Sequence, residues 1–272
     1  DGYQFEGEWL NGTFAWNFDV DIVTKDLTLV AKWLELSTKP ANIMTTNEPF
    51  SSNITWRQTD AKSQDFVVSI KKNEVGTEFV ALDGAVVVDD STEVNTVTFT
   101  PTAIPQGGNY LVKVTSGSEE TISEELLLSG EGTLTNPYLV NEIKDVLTIL
   151  DDKVNKYNNL HYLQITNVLS TITEPLEITN DRKVTFGGSY DGGNNTLSFI
   201  GNGGLFHEIL SGSVVKNIVI ENTTQLYAAI DNIYPIGAVT DKNNGLIENI
   251  TSRAMLEDNH LQGALEVYTE VK

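Results

Sequence analysis

Residues 184–222 read VTFGGSYDGGNNTLSFIGNGGLFHEILSGSVVKNIVIEN, and residues 235–252 repeat the pattern more loosely as PIGAVTDKNNGLIENITS. Short β-branched or aromatic runs alternate here with Gly, Asn and Asp; the runs are Val184–Phe186, Thr196–Phe199, Val214–Ile220 and Leu246–Ile250. Runs about 20 residues apart, each too short to bury its apolar face alone, are typical of a stacked β-solenoid. The stretch predicts parallel rungs that bury Val184, Phe186, Leu197, Phe199, Leu205, Phe206, Ile218 and Ile220.

Asparagines recur at the turns of this stretch. Stacked asparagine side chains can hydrogen-bond from one rung to the next, and Asn-Gly pairs supply the positive φ that tight corners need. We therefore predict a structural role, rather than ligand binding, for Asn194, Asn195, Asn217, Asn243, Asn244 and Asn249.

One helix is predicted ahead of the rungs. In EIKDVLTILDDKVN (residues 142–155), an apolar face with helical spacing is formed by Ile143, Val146, Leu147 and Leu150. A bare end strand invites edge-to-edge association, so an amphipathic helix at this place is predicted to cap the open end of the solenoid. Residues 130–272 are therefore predicted to form a capped right-handed β-helix.

Residues 36–129 show strand-like runs at about ten-residue spacing with polar turns between them, after a turn-rich linker at residues 36–42. The runs are ITW (54–56), DFVVSIKK (65–72), EFVAL (78–82), AVVVDD (85–90), TVTFTP (96–101), NYLVKVTS (109–116) and ISEELLLS (122–129). Short alternating strands at this spacing predict a β-sandwich. The order of Trp56, the run from Phe66 and the strand opened by Tyr110 resembles a fibronectin type III or bacterial Ig-like domain.

Residues 1–35 alternate Tyr3, Phe5 and Trp9, turn at Asn11-Gly12, and alternate again up to Trp33. The segment resembles the C-terminal half of the Listeria-Bacteroides repeat of internalin B-like surface proteins, which implies a partial β-grasp-like repeat. The matching residues are Gly2-Tyr3-x-Phe5-x-Gly7, Trp9, Trp16-Asn17-Phe18 and Val23-Thr24-x-Asp26-Leu27-Thr28-Leu29-x-Ala31-Lys32-Trp33. Glu8 departs from the pattern, and the first strands of the repeat are absent, so the chain is expected to start within a repeat.

The third segment resembles bacterial surface β-helices of the GLUG-motif type. The resemblance rests on the NPYLV entry (residues 136–140) with its helix, and on the motifs Phe186-x-Gly188-x-Tyr190-Asp191-Gly192-x-x-Asn195-Thr196-Leu197, Gly204-Leu205-Phe206 and Val215-Lys216-Asn217-Ile218-x-Ile220. The GLUG motif itself is retained loosely, as Ile236-Gly237-Ala238-Val239 with Asn244-Gly245-x-Ile247-x-Asn249.

The composition narrows the class of function. The 272-residue chain carries 38 acidic and 17 basic residues, for a formal net charge of −21, which disfavours nucleic acid or an anionic membrane as a partner. There is no cysteine, so neither a disulfide nor a thiolate site can form. No run of about 18 apolar residues is present, so no membrane-spanning segment is predicted. An exported bacterial protein, with its signal and anchor outside this sequence, fits these features.

A catalytic site is the main alternative, because parallel β-helices include polysaccharide lyases and hydrolases that use paired carboxylates. The candidate residues are Asp181, Arg182, Asp191 and Glu208, all expected at corners where charge is usual. The three histidines His161, His207 and His260 lack metal-ligand spacing. We therefore predict no catalytic residues, no metal and no cofactor.

The sequence leaves three further alternatives: a calcium site, an isopeptide bond and a sugar-binding surface. Asp89 and Asp90 could join a calcium site but supply too few ligands by themselves. Lys71 and Lys72 permit an intramolecular isopeptide bond, which a sequence does not reveal. An aromatic sugar platform is a further alternative, although the strand alternation predicts that Trp9, Trp16, Trp33 and Trp56 point inward.

Together these patterns predict an all-β protein of three modules: a partial β-grasp-like repeat (residues 1–35), an Ig-like or fibronectin-like sandwich (36–129) and a capped right-handed β-helix (130–272). The predicted function is that of an extracellular bacterial cell-surface adhesin or stalk, without catalysis, whose partner is a host or extracellular-matrix protein or a glycan. A carbohydrate-binding module is the first alternative, and a β-helix lyase or hydrolase is the second.

Overall fold

The computed structural model describes residues 3–24, 26–35, 37–46, 48–92, 94–152, 156–157, 159–179, 184–201, 204–222 and 239–253. They are mostly strands with one α-helix among them, so the predicted all-β class is confirmed. The chain divides into two compact units: Asp1–Thr46, Ser52–Ala103 and Asn109–Leu128 form the first, and Asn47–Ser51, Ile104–Gly108 and Ser129–Lys272 form the second. The three predicted module boundaries stay a prediction.

The first unit begins with a three-stranded antiparallel sheet of order β2-β1-β3, formed by β1 (Tyr3–Asn11), β2 (Phe14–Ala15) and β3 (Val30–Glu35). Gly12 makes the turn between β1 and β2 with a φ of 64°, at the predicted Asn11-Gly12 turn. None of the described side chains in residues 3–35 is buried. The side chains of this sheet whose exposure the structure describes therefore form no buried apolar core.

Eight further strands in this part of the chain form two four-stranded sheets. They are β4 (Ala41–Thr45), β5 (Ile54–Gln58), β6 (Phe66–Lys72), β7 (Val80–Ala81), β8 (Gly84–Asp89), β9 (Asn95–Pro101), β10 (Gly108–Ser116) and β11 (Glu119–Leu128). The sheet orders are β4-β5-β9-β8 and β11-β10-β6-β7. All seven runs predicted as strands contain a strand. The sequence missed β4, which begins inside the predicted linker and whose pairing with β5 shifts register between Ala41 and Met44.

The two four-stranded sheets face each other across an apolar core. Trp56 on β5 is 1% exposed and meets Phe66 on β6 edge to face at 5.1 Å. Gln58 on β5 donates from Nε2 to Ser116 Oγ on β10 at 2.7 Å. Alternation along the strands brings every second side chain into this layer; the buried residues are Ile54, Trp56, Val68, Ile70, Val97, Phe99, Tyr110, Val112 and Val114.

The second unit stacks parallel strands. They are β12 (Tyr138–Val140), β13 (His161–Gln164), β14 (Glu177–Ile178), β15 (Thr185–Phe186), β16 (Ser189–Gly201), β17 (Phe206–Ile209), β18 (Val214–Asn222), β19 (Thr240–Asn243) and β20 (Leu246–Ser252). One sheet has the order β12-β13-β16-β18-β20 with β14 also paired to β16, and a second has the order β15-β17-β19. All pairings between these described strands are parallel.

The core of this unit is built from the predicted rung residues. Seven of the eight are buried and Val184 is half-buried against them. Phe186 on β15 and Phe206 on the paired strand β17 stack with their ring centroids 4.5 Å apart and their planes at 17°. Two aromatic side chains thus stack across neighbouring strands. The parallel rungs predicted from the sequence are confirmed for these strands.

The helix α1 (Ile143–Leu150) lies where the sequence predicts it, with Ile143, Val146 and Leu150 buried and Leu147 half-buried. The carboxylate of Asp145 accepts the backbone N–H groups of Asn141 at 3.0 Å and Glu142 at 3.2 Å, which satisfies donors at the start of the helix. Burial raises the pKa of Asp145 to about 6. The capping role of α1 stays a prediction.

The predicted hydrogen bonding of asparagine side chains from rung to rung is confirmed at two stacked corners. Asn217 and Asn249 both have a φ of 52°. Asn249 donates from Nδ2 to Asn217 Oδ1 at 3.0 Å, and Asn217 donates from Nδ2 to Asp191 Oδ1, also at 3.0 Å. Two amide side chains and the Asp191 carboxylate therefore form a hydrogen-bonded ladder across β16, β18 and β20.

One glycine lies where two rungs approach closely. A Cβ on Gly188 would lie 1.9 Å from the carbonyl oxygen of Leu160, so no side chain fits there.

Among the described residues, no helix has the length and apolar character needed to cross a membrane.

Candidate binding surfaces and residues of the catalytic alternative

Three aromatic rings form an exposed cluster on the sheet of β1 and β3. The rings of Phe5 and Trp9 lie 5.5 Å apart, and those of Phe5 and Trp33 lie 5.6 Å apart. The exposed fractions are 37% for Phe5, 39% for Trp9 and 60% for Trp33. The prediction that these tryptophans are core residues is therefore wrong for Trp9 and Trp33, whereas it is confirmed for Trp56.

The error has a simple physical cause. Alternation correctly placed Trp9 and Trp33 on one face of the sheet, since they contact the same ring of Phe5. Alternation does not tell whether a second layer covers that face, and no described residue buries it. Trp16, at the start of the loop after β2, is half-buried.

The geometry of the cluster limits what it can bind. The planes of Phe5 and Trp9 are inclined at 60°, and those of Phe5 and Trp33 at 57°. Phe5 is therefore coplanar with neither tryptophan, so the three rings together do not form one flat surface. Lys32 Nζ lies 3.0 Å from Glu8 Oε2, so the residues that directly precede Trp33 and Trp9 form an ion pair between β3 and β1.

Asp191, a candidate of the catalytic alternative, lies in β16 just before the corner formed by Gly193 and Asn194, whose φ values are 57° and 64°. Its Oδ1 accepts the backbone N–H of Gly193 and the side-chain amide of Asn217, each at 3.0 Å. Its Oδ2 lies 3.5 Å from Lys216 Nζ on the next rung. These contacts hold a corner of the stack and leave the carboxylate engaged with the protein.

Glu208 is held in a similar way on the other parallel sheet. Its Oε1 accepts hydrogen bonds from Lys242 Nζ at 2.6 Å and Asn244 Nδ2 at 2.5 Å. Asp191 and Glu208 thus lie on different sheets and share no partner among the described contacts. The other two candidates, Asp181 and Arg182, lie outside the described residues.

Two histidines make contacts that the sequence did not reveal. His161 Nδ1 lies 2.6 Å from Ser189 Oγ, and His207 Nδ1 lies 3.6 Å from Asp241 Oδ2. His161 and Ser189 are direct neighbours in the parallel register of β13 and β16, which accounts for their contact. A serine nucleophile also needs a third group that orients the base and donors for an oxyanion, and the described hydrogen bonds of His161 provide neither. His260 lies outside the described residues.

The remaining candidates of the first unit have local partners. Asp90 pairs with Lys62, which lowers the pKa of Asp90, and Asp89 accepts the backbone N–H of Ser91 at 3.0 Å, which lowers its pKa. Lys71 Nζ lies 5.1 Å from the ring centre of Phe79. The described residues contain no group of three or more potential metal ligands.

A buried polar network, also missed from the sequence, lies inside the second unit. Tyr190 donates its hydroxyl to Gln164 Oε1 at 3.0 Å, and Gln164 Nε2 donates to the carbonyl oxygens of Thr166 and Thr196, both at 2.8 Å. Burial raises the pKa of Tyr190. Because each of these polar groups has a partner, the network fits a structural role.

Comparison with known proteins gives one informative relative. No protein-family model and no solved structure matches the chain. A protein named halomucin, from Haloquadratum walsbyi, is 29% identical over 261 residues. The similarity covers 83% of this chain and 3% of halomucin, so the chain spans a small fraction of the length of that curated relative.

Proposed function

We propose that this chain is part of an exported cell-surface protein and serves as a stiff, non-catalytic stalk that binds a host or matrix partner. The observation that carries the proposal is the parallel, in-register stacking of β12, β13, β16, β18 and β20. Each added rung lengthens such a stack and repeats its contacts with the rung before it, which suits a spacer. The similarity to a segment comprising 3% of halomucin supports a place within a long chain.

The finer fold assignments belong to the same proposal. The second unit would be a right-handed parallel β-helix of GLUG type, closed at its N-terminal end by α1. The two facing sheets of the first unit would be an Ig-like or fibronectin-like sandwich. The order β4-β5-β9-β8 supports this, because it follows the Ig order of strands A, B, E and D when the two-residue β7 is counted as an extra strand beside β6. The sheet of β1 to β3 would be the second half of a Listeria-Bacteroides repeat.

The absence of catalysis is likewise proposed. The described carboxylate candidates Asp191 and Glu208 have separate sets of partners, and each is paired with a lysine of the next rung. Polysaccharide lyase or hydrolase activity is tested by incubating the protein with neutral and acidic polysaccharides and measuring newly formed reducing ends. Reducing ends that disappear in Glu208→Gln or Asp191→Asn would contradict the proposal.

Surface exposure provides the test of the main proposal. Antibodies raised against the purified protein should label intact cells of the source organism, and external protease should remove the labelling. Labelling that requires permeabilised cells would refute a surface location. Binding to immobilised matrix proteins, with and without the chain as competitor, then tests the adhesive role.

A glycan-binding module is the second candidate, favoured by the exposure of Trp9 and Trp33. Binding on a glycan array that is lost in Trp33→Ala but retained in Trp56→Ala, with both variants folded, would favour this candidate over the stalk. Phe5 is inclined by 60° to Trp9 and by 57° to Trp33, so the three rings do not form one flat platform, and we expect no aromatic-dependent glycan binding.

A further inference from the structure

The two four-stranded sheets of the first unit have four edge strands, and three of them carry features that discourage strand addition. β4 has an irregular register between Ala41 and Met44, and β7 is two residues long. β11 carries four glutamates: Glu119, Glu120, Glu124 and Glu125. Bulges, short length and charge are the devices by which natural edges avoid unwanted pairing.

The fourth edge, β8, lacks these devices. Gly84–Val88 contains no charged residue and no proline, and the pairing with β9 is regular over all six residues of β8. Val87 is 63% exposed and Val86 is 40% exposed. No second strand adjoins β8 among the strands that the structure describes. A regular, apolar and uncharged edge of this length is a template for an incoming strand.

The backbone groups available on this edge follow from the antiparallel pattern. Thr102 N–H donates to the carbonyl oxygen of Asp83 at 2.8 Å, so these opposed residues form a hydrogen-bonded pair. Because hydrogen-bonded and non-hydrogen-bonded pairs alternate, Ala85, Val87 and Asp89 direct their backbone groups toward β9. Gly84, Val86 and Val88 therefore direct theirs to the free side.

The charges around β8 decide which partner fits. Asp83 precedes the strand, and Asp89 and Asp90 end it. In a two-fold antiparallel pairing of β8 with a second copy, the outward residues must be opposed, and Gly84 opposite Val88 would place Asp83 of one copy opposite Asp89 of the other. Like charges opposite each other are destabilising, and each copy carries a net charge of −21. An extended segment with basic ends would instead meet complementary charges.

We propose that the β8 edge binds an extended segment of another protein, alternating in its apolar middle and carrying Lys or Arg at its ends, by adding it as a fifth strand. Main-chain hydrogen bonds from Gly84, Val86 and Val88 supply the attachment, and Asp83 and Asp89 select the basic ends. The β8 edge belongs to the first unit and the parallel rungs on which the stalk proposal rests belong to the second, so either proposal can fail without the other.

The test uses the full chain and two synthetic peptides, each with five alternating Val and Thr residues between two Lys or two Glu ends. Isothermal titration calorimetry at low salt should show saturable binding of the Lys-ended peptide, roughly tenfold tighter than binding of the Glu-ended peptide. Equal binding of both peptides, or no saturable binding of the Lys-ended one, would overturn the proposal.

Two variants separate edge pairing from other contacts. Val86→Pro removes an outward N–H and spares the bonds to β9, so it should weaken binding by roughly tenfold. Val87→Lys should weaken it similarly, while Val80→Lys, at a valine of comparable exposure (59%), should change it less than about twofold. If Val86→Pro fails to fold, the lysine pair decides the matter. Unchanged affinity in Val87→Lys, or a dimer in sedimentation velocity that Val87→Lys abolishes, would refute a heterologous partner.

Discussion

Replacing Phe186 with alanine probes the packing between rungs most sharply. The side chain is 0% exposed, stacks on Phe206 at 4.5 Å and lies 6.3 Å from the ring of Tyr162. Truncation of a fully buried Phe removes its transfer free energy and leaves a cavity, which together lower the free energy of unfolding by about 3–5 kcal/mol. Since domains of this size are stable by about 5–15 kcal/mol, this is a large fraction of the total.

Urea unfolding followed by far-UV circular dichroism measures this loss, with Ile172→Ala as the matched control. Ile172 belongs to the same unit but is 101% exposed, so its truncation should change the unfolding free energy by less than about 0.5 kcal/mol. A loss below about 1 kcal/mol in Phe186→Ala, or a loss equal to that of Ile172→Ala, would refute the stacked aromatic core.

Three further outcomes are expected. Trp56→Ala should lower the unfolding free energy by about 3–5 kcal/mol and Trp33→Ala by about 1 kcal/mol, measured by chemical denaturation; equal losses would contradict the exposure of Trp33. Gly188→Ala should lower the melting temperature strongly, because its Cβ would lie 1.9 Å from Leu160 O, and calorimetry showing a wild-type transition would contradict this close approach. The pKa of Asp145 is raised from 3.8 to about 6 in the folded state, so the folded protein holds this proton more tightly and gains stability as the pH falls through 6. Between pH 7 and pH 5 this amounts to about 1 kcal/mol, and Asp145→Asn should lose that increment; an identical pH dependence in both proteins would contradict it.

Much of the fold could be predicted from local sequence. The buried rung residues from Phe186 to Ile220 could be predicted because short β-branched and aromatic runs between Gly and Asn turns favour β-strands. The apolar spacing from Ile143 to Leu150 predicted α1, and the seven runs between residues 54 and 129 each contain a strand. Local pattern suffices wherever neighbours in sequence determine which side of an element is apolar.

Contacts between distant residues were not predictable in the same way. His161 meets Ser189 and Gln164 meets Tyr190 only through the register of β13 on β16, which no local pattern specifies. The exposure of Trp9 and Trp33 depends on whether another layer covers their sheet. The β8 edge likewise became visible only once the strand order was known. The exposed Trp9 and Trp33 face and the β8 edge therefore depend on how strands and sheets are arranged in three dimensions, which short sequence motifs do not specify.

Parallel stacking of the rungs is the central claim, and engineered cross-links test it directly, since the chain contains no cysteine. Lys216 and Glu248 are opposed in the parallel register of β18 and β20, whereas Ser252 is opposed to Ile220, four residues away from Lys216. At about 3.3 Å per residue this offset is roughly 13 Å, too far for a disulfide. The double substitution Lys216→Cys and Glu248→Cys should therefore form an intramolecular disulfide under mild oxidation, and Lys216→Cys with Ser252→Cys should not. Cross-linking of the second pair but not the first would show antiparallel pairing and contradict the account.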